Sequence, residues 1–308
     1  MKESIMKNIE ISSYGELLVY KKWYTPDILY KIIKEKKLKG LRIVAHLRDQ
    51  RLSNIDFLKD CTFLEGLDVI SVDDFDFGFL QYLSKLKSLG IGTEGVNKID
   101  LSNLKELEYL SIDWRKKVSG IENCKNLKIL SVYRYTEMDL SQFKGLTNLK
   151  KLIIKTSSIL SIDGINELVN LENITLSNCK KLRSIKALNG LKKVEELEFN
   201  SCRKIEDFST LVNLPNLKTL YLIDCKHIHS IKFINNFPLL NEFGLLGDSQ
   251  VIDGDMTPAK RIKRLTYRHR SHYNEKIETP EADELEKRNI AFIKKSWDEF
   301  IKRGNTLN

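Results

Sequence analysis

The stretch that decides the fold is residues 171–193, LENITLSNCKKLRSIKALNGLKK. Its apolar or cysteine positions are Leu171, Ile174, Leu176, Cys179, Leu182, Ile185, Leu188 and Leu191. The first part alternates with period two, which is typical of a short strand. The later positions advance in steps of three, which indicates tight turns of the 3₁₀ type. A single unit of this kind cannot bury its own apolar face, so the sequence predicts that the unit repeats.

The pattern recurs along the chain. Its central strand position is predicted at Val44, Ile70, Leu89, Leu110, Leu130, Leu152, Ile174, Leu197, Leu220, Phe243 and Leu265. From Leu130 onward these positions are 22 or 23 residues apart, and before it the spacing varies from 19 to 26. The sequence therefore resembles the leucine-rich repeat family, whose periods are roughly 20–29 residues. The resemblance implies an α/β solenoid, a horseshoe of about eleven repeats with a parallel sheet on its concave face. It implies no single function.

Both ends of the chain are predicted to cover the repeats. Alternating apolar residues on either side of residues 12–15 predict a hairpin, and Thr25-Pro26-Asp27 predicts the start of a helix that ends before Gly40. Thr279-Pro280-Glu281 has the same signature. We predict an N-terminal cap of hairpin plus helix at 1–40, the solenoid at 41–270, and a linker with a C-terminal capping helix at 271–308. A detachable arm for a partner is the alternative for that last helix.

Composition narrows the class of protein. Lys and Arg number 51 against 42 Asp and Glu, a net charge of +9 that permits an acidic partner without requiring one. The N-terminus lacks the apolar core of a signal peptide, and no apolar run is long enough to span a membrane. We expect a cytoplasmic protein, and its Lys, Ile and Asn content indicates a bacterial one. Cys179, Cys202 and Cys225 share one repeat position and are predicted to be buried, reduced thiols.

No catalytic motif is found in the sequence. Residues 90–95 spell G-x-G-x-x-G, but the repeat pattern continues through them where a nucleotide site needs a helix. Cys225, His227 and His229 lack a fourth metal ligand nearby. We therefore expect no enzyme activity, cofactor, metal or small-molecule substrate.

The expected binding surface is the outward side of the sheet. In L-x-x-L-x-L the leucines point inward, and the residues before and between them point out. Aromatic and apolar residues there are not required by the core and are good binding anchors. The predicted partner-binding residues are Asp73, Tyr109, Asp113, Trp114, Ile129, Tyr133, Lys151, Ile153, Lys155, Glu196, Glu198, Tyr221 and Ile223. Trp114 and Tyr135, at strand ends, are expected to extend this surface.

Charges of both signs lie in blocks on this surface, with Lys151 and Lys155 near its middle and Glu196 and Glu198 beyond them. Such blocks favour a protein partner over a phosphate backbone. We expect a protein–protein interaction module that binds a folded protein on its concave face, of an immunity or regulatory type. The alternative is nucleic-acid or polyanion binding through the N-terminal lysines and the basic last repeat. The basic residues of that repeat are Lys260, Arg261, Lys263, Arg264, Arg268 and Arg270. Protection of a terminal sheet edge is a third explanation for these charges.

Overall fold

A computed structural model describes residues 8–12, 15–45, 52, 54–93, 95, 97–114 and 118–277. The chain forms two compact units, which in the described part are residues 8–127 and 128–277. The predicted helix after Thr279 lies outside the described residues.

Among the described residues, one α-helix, α1 (Pro26–Lys36), precedes the repeats. The strands of the first unit are β1 (Ile9–Ser12), β2 (Gly15–Val19), β3 (Gly40–Ala45), β4 (Gly66–Ser71), β5 (Ser88–Thr93), β6 (Ile99–Asp100), β7 (Tyr109–Asp113) and β8 (Val118–Ser119). Those of the second unit are β9 (Ile129–Tyr133), β10 (Lys151–Ser157), β11 (Asn173–Cys179), β12 (Glu196–Asn200), β13 (Thr219–Ile223), β14 (His227–Ile228), β15 (Glu242–Leu246), β16 (Gln250–Val251) and β17 (Arg264–Tyr267). Short 3₁₀ helices follow most strands, at Asp56–Asp60, Gly78–Tyr82, Ile121–Asn123, Ser141–Phe143, Ile165–Glu167, Lys186–Leu188, Phe208–Thr210, Lys232–Asn236 and Thr257–Arg261.

In each unit the repeat strands lie side by side in sequence order. The order is β1-β2-β3-β4-β5-β7 in the first unit and β9-β10-β11-β12-β13-β15-β17 in the second. Within the units these neighbours pair in parallel, except for the antiparallel hairpin β1–β2. Equivalent residues are aligned, so that Leu152 pairs with Leu130 on one side and with Ile174 on the other. The described residues thus contain four repeat strands in the first unit and seven in the second, the eleven that the sequence predicts.

The core follows the repeat pattern of the sequence. Leu152 and Ile154 on β10 are fully buried, while Ile153 between them is half-exposed. The positions spaced by three form one-turn 3₁₀ helices, such as Lys186–Leu188, whose Leu188 is buried. Each fully buried aliphatic side chain contributes roughly 1.5–3 kcal/mol to folding, so the stacked leucines supply most of the stability.

Two ladders of polar side chains join successive repeats. The Asn170 amide donates to the Thr147 carbonyl at 2.6 Å, and Asn216 donates to Lys192 at 2.7 Å. The Cys202 thiol donates to the Leu176 carbonyl at 3.2 Å. The two asparagine bonds satisfy carbonyl groups that lie outside the strands. The buried thiols agree with the sequence prediction, whereas the asparagine ladder was not predicted.

The predicted register of the first two repeats is wrong by three residues. Leu67 pairs with Leu41 and with Leu89, so Leu41 and Leu67 hold the central core position. Val44 and Ile70, predicted there, are only partly buried. Both stretches contain adjacent apolar residues, Ile43-Val44-Ala45 and Val69-Ile70, so the alternation alone could not select one frame. The corrected spacing from Leu67 to Leu89 is 22 residues, like the later repeats.

The N-terminal hairpin continues the sheet of the first unit, because β2 pairs in parallel with β3. A buried charge network fixes this junction. The Arg42 guanidinium contacts the Asp68 carboxylate at 3.1 Å and Glu10 at 2.9 Å, and the Arg42 side chain is 4% exposed. A Cβ added at Gly90 would lie 2.4 Å from Asp68 Oδ1, so this glycine makes room for the network. The first glycine of the G-x-G motif therefore has a packing reason.

Helix α1 begins and ends as the sequence predicts. The Thr25 hydroxyl accepts a hydrogen bond from the Ile28 backbone N–H, and Pro26 occupies the first turn. Lys37 adopts the left-handed conformation that ends the helix. The helix buries Leu29, Ile32 and Ile33.

Residues 271–277, predicted as part of a linker, pack against the last repeat. Tyr273 is 8% exposed, and its hydroxyl accepts a hydrogen bond from the Val251 N–H at 3.0 Å. The Asn274 side chain accepts from Met256 N–H at 2.9 Å. The Tyr273 and Asn274 side chains thus cover the end of the core. The segment is rich in charged and polar residues, so its sequence did not predict this role.

Candidate functional site

The candidate site is the outward side of strands β9 to β13 in the second unit, which we call the outer face. Each strand contributes three alternating side chains, and register places them in three columns. The columns are Ile129, Lys151, Asn173, Glu196 and Thr219; then Ser131, Ile153, Thr175, Glu198 and Tyr221; then Tyr133, Lys155, Ser177, Asn200 and Ile223. Ser131 is buried and the others are partly or fully exposed.

Charge on the outer face is confined to two strands of opposite sign. Strand β10 carries Lys151 and Lys155, and strand β12 carries Glu196 and Glu198. The outward residues of β9, β11 and β13 are all uncharged. The face is therefore a positive and a negative strip with one neutral strand between them.

The side chains of Lys155 and Glu198 are partly removed from water. Burial lowers the pKa of Lys155, an effect that the nearby Glu198 opposes. Burial likewise raises the pKa of Glu198, and Lys155 counteracts it. The Lys155 ammonium lies 5.7 Å from the centre of the Tyr133 ring, which suits a cation–π contact. Among the described residues, neither Lys155 nor Glu198 takes part in a salt bridge.

Glu196 accepts a hydrogen bond from the neighbouring strand. The Asn173 amide on the neighbouring strand donates to its carboxylate at 2.6 Å. The Lys150–Glu172 and Lys218–Glu195 salt bridges, each 2.9 Å or shorter, lie beside the strands and not on the outer face.

The β13 side of the outer face is aromatic and apolar. The Tyr221 ring lies over Gly244 of β15, since a Cβ added there would be 2.4 Å from Tyr221 Cδ1. The Tyr221 hydroxyl donates to the Glu242 carboxylate, which also pairs with Arg264. Burial, with the Glu242 hydrogen bond, raises the pKa of Tyr221. The ring is thus held flat on the sheet, as a fixed contact surface.

Nine of the predicted binding residues come together on this face. They are Ile129, Tyr133, Lys151, Ile153, Lys155, Glu196, Glu198, Tyr221 and Ile223. The list of predicted binding residues did not include Asn173, Thr175 and Ser177, whose polar side chains on β11 separate the two charged strips. Their positions in the repeat were the only signal that could have identified them.

The other four predicted residues belong to the first unit. Tyr109 is half-buried at an outward position of β7. Trp114 is 2% exposed and Tyr135, in the second unit, is 1% exposed, so the expectation that they extend an exposed surface is wrong. Trp114 lies after β7 and Tyr135 after β9, and both side chains belong to the core. Asp113 is also buried, at 2% exposure.

Asp73 was assigned to a strand position that the register error displaced. The β4 strand ends at Ser71, and Ile70 is the residue aligned with Gly92. Asp73 lies in the following turn, where its backbone N–H donates to the Ser71 hydroxyl at 3.0 Å.

Several basic residues of the last repeat have structural partners. Lys260 pairs with Glu275 at 2.6 Å, and Arg264 pairs with Glu242. The Arg261 guanidinium donates to the carbonyls of Ile234, Phe237 and Leu240. Lys263 and Arg268 are exposed.

Reactive groups are also few in the part of the chain that the structure describes. No cluster of His, Cys, Asp and Glu there could hold a metal ion. All five cysteines are free and buried, and burial raises the pKa of Cys61 and Cys124 to about 12. Thiols in this state are poor nucleophiles. None of the described helices is long and apolar enough to cross a membrane.

Comparison with known proteins defines the fold. The chain is similar to an internalin, InlF, from Listeria monocytogenes, with a TM-score of 0.56 and 18% identity over 83% of this chain and 87% of that one. It is similar to mouse RP105 in complex with MD-1 (TM-score 0.54, 15% identity, 82% of this chain and 51% of that one). It is also similar to TLR13 in complex with ssRNA13 (TM-score 0.52, 17% identity, 81% and 46%). No protein-family model and no curated protein sequence matches the chain. The structural likenesses show that the chain has the leucine-rich repeat fold.

Proposed function

We propose that this protein is a binding module that takes a folded protein partner on the outer face of its second unit. The observation that carries the proposal is the outer face itself, where Ile153, Tyr221 and Ile223 stand beside the charged strips. The core requires none of these side chains, because their neighbours Ile154 and Leu222 already fill it. A rigid sheet also presents them at little cost in conformational entropy.

The structural neighbours support the same class of function. One was solved bound to the protein MD-1, and another to a single-stranded RNA. A protein partner suits this chain better than RNA, because the outer face has charges of both signs in separate strips. The pairing of Lys260, Arg261 and Arg264 with groups of the protein itself further weakens the polyanion alternative.

We propose that the protein acts in the bacterial cytoplasm, in a regulatory or immunity-type role. We assign it no catalytic activity. The Lys, Ile and Asn content of the sequence supports the bacterial source. The domain division we propose is a cap at 1–40 and repeats from 41, with 271–277 joined to the last repeat. The helix predicted after Thr279 remains our proposed C-terminal cap.

Two matched substitutions test the proposal. Ile153→Arg places a charge in the middle of the outer face, and Val169→Arg places one on an exposed apolar residue elsewhere in the same unit. Tagged wild type and both variants are used to purify proteins from a lysate of the source cell, and the recovered proteins are quantified by mass spectrometry. The captured protein is then purified and titrated against each variant by calorimetry.

We expect one protein to bind the wild type and Val169→Arg equally, and Ile153→Arg at least tenfold more weakly. Equal binding by all three would refute the outer face as the site. Recovery of RNA in place of protein, with binding that falls steeply with salt, would favour the alternative.

A further inference from the structure

Neighbouring repeat strands leave a partner few ways to bind the outer face. Strands β10 to β13 are each paired on both sides, so their backbone groups are already hydrogen-bonded. A partner cannot add a strand within this region, and contact has to be made through side chains. The pattern of those side chains therefore constrains the element that binds.

The spacing of the two charged strips matches an α-helix that crosses the strands. Strands lie about 4.8 Å apart, so β10 and β12 are separated by roughly 10 Å. Seven residues of an α-helix rise by about 10.5 Å and return to the same face after two turns. An acidic residue opposite Lys155 and a basic residue seven positions away would therefore meet the two strips together.

The strands whose outward residues are uncharged determine where the partner helix would carry apolar residues. Tyr133 on β9 lies one strand before the lysines, and Tyr221 and Ile223 on β13 lie one strand after the glutamates. One strand spacing corresponds to about three residues of helix. Apolar residues three or four positions outside each charged residue would face these side chains. The small residues Thr175 and Ser177 on β11 leave space for the middle of the helix.

The partial burial of the Lys155 and Glu198 charges explains why such a helix would be selected. Both are partly desolvated, and neither takes part in a salt bridge with another described residue. Much of the cost of removing these charges from water is therefore borne before a partner arrives. Opposite charges on the partner are then favoured strongly, and like charges are rejected.

We propose that the outer face recognises an amphipathic helix of its partner, with an acidic residue at position i, a basic residue at i+7, and apolar residues flanking them. This inference rests on the proposed function, whose site it shares. It specifies the chemistry of the partner surface, which the proposed function leaves open.

The test uses a displayed library of helical peptides with randomised surface positions. It is selected on the purified full-length protein, on Lys151→Glu/Lys155→Glu, on Glu196→Lys/Glu198→Lys, and on the neutral variants Lys155→Met and Glu198→Gln. The blocked variant Ile153→Arg identifies peptides that bind elsewhere. The control Glu195→Lys/Lys218→Glu exchanges a salt bridge beside the strands. Circular dichroism confirms that each variant is folded before selection.

We expect wild type and the control to enrich the acid–base pair at i and i+7 at least tenfold over its frequency in the starting library. The lysine-reversed variant should enrich two basic residues, the glutamate-reversed variant two acidic residues, and each neutral variant should lose one of the two preferences. Peptides that bind the outer face without a charge preference would overturn the inference and leave the proposed function standing. Peptides that also bind Ile153→Arg would count against both, and a failure to select any helix on wild type would overturn the inference.

Discussion

Two adjacent isoleucines on β10 provide the sharpest test of the repeat register. Ile154 is fully buried, and its neighbours in register, Val132 and Leu176, are fully buried too. Ile153 points the other way and is half-exposed. Ile→Ala removes three carbon groups, which is worth roughly 2.4 kcal/mol in transfer free energy, and the cavity left in a close-packed core increases the loss to about 2–5 kcal/mol. At the surface the same change costs at most roughly 0.5–1 kcal/mol.

We therefore expect Ile154→Ala to lower the free energy of unfolding by about 2–5 kcal/mol and Ile153→Ala to change it little. The measurement is urea unfolding followed by circular dichroism, with hydrogen exchange of the β10 segment as a local readout. With a slope of about 3 kcal/mol per molar urea, Ile154→Ala should shift the midpoint by roughly 1 M. Equal losses for both variants, or a larger loss for Ile153→Ala, would refute the assignment of inward and outward positions.

Three further substitutions test the charges and close contacts. Glu198→Gln should stabilise the protein at pH 7, because burial raises the pKa of Glu198 and the wild type loses stability as pH rises through that pKa. In urea unfolding the advantage of the variant should vanish below about pH 4, under the pKa of glutamate in the unfolded state. A difference in stability that does not depend on pH would contradict this. Arg42→Ala should lower the free energy of unfolding by about 3–5 kcal/mol, since it removes the guanidinium that the Asp68 carboxylate contacts in a buried site. A decrease under about 1 kcal/mol in thermal or urea unfolding would show that water reaches the charge network. Gly244→Ala should cost about 1–3 kcal/mol by displacing the Tyr221 ring, and the cost should shrink in a Tyr221→Ala background, whereas additive losses would count against the contact.

The sequence predicted the repeats because their period is long and their core positions are nearly all leucine or isoleucine. From Leu130 onward the strand register follows directly from that spacing. The N-cap of α1 was also predictable, since Thr25 and Pro26 act through local backbone chemistry. Steps of three between apolar residues were sufficient to predict 3₁₀ turns in place of longer helices.

The errors arose where local pattern was ambiguous or where contacts are distant in sequence. Val44 and Ile70 each have an apolar neighbour in sequence, so more than one frame fits the alternation, and only pairing with Leu89 decides it. The burial of Trp114 depends on how the chain turns after β7, which the repeat pattern does not encode. The Arg42–Asp68 contact joins residues 26 positions apart. From sequence alone both residues are expected at the surface, and the structure is needed to show that Gly90 leaves space for them.

The charge pattern of the outer face was predictable from the repeat frame. The sequence analysis placed the two lysines in one block and the two glutamates in another, and the strand register puts these blocks on β10 and β12. The same register shows that the intervening strand is neutral. A binding surface is defined by these side-by-side relations, and a linear sequence gives them only once the repeat frame is correct.

The most direct test of the outer face as a binding site is lysine footprinting of the complex. The purified partner is bound to the protein, exposed amines are acetylated briefly, and the modified lysines are quantified by mass spectrometry. We predict at least fivefold protection of Lys151 and Lys155, with unchanged labelling of the exposed Lys180 and Lys192 away from the face. Full labelling of Lys151 and Lys155 in a saturated complex would contradict the account.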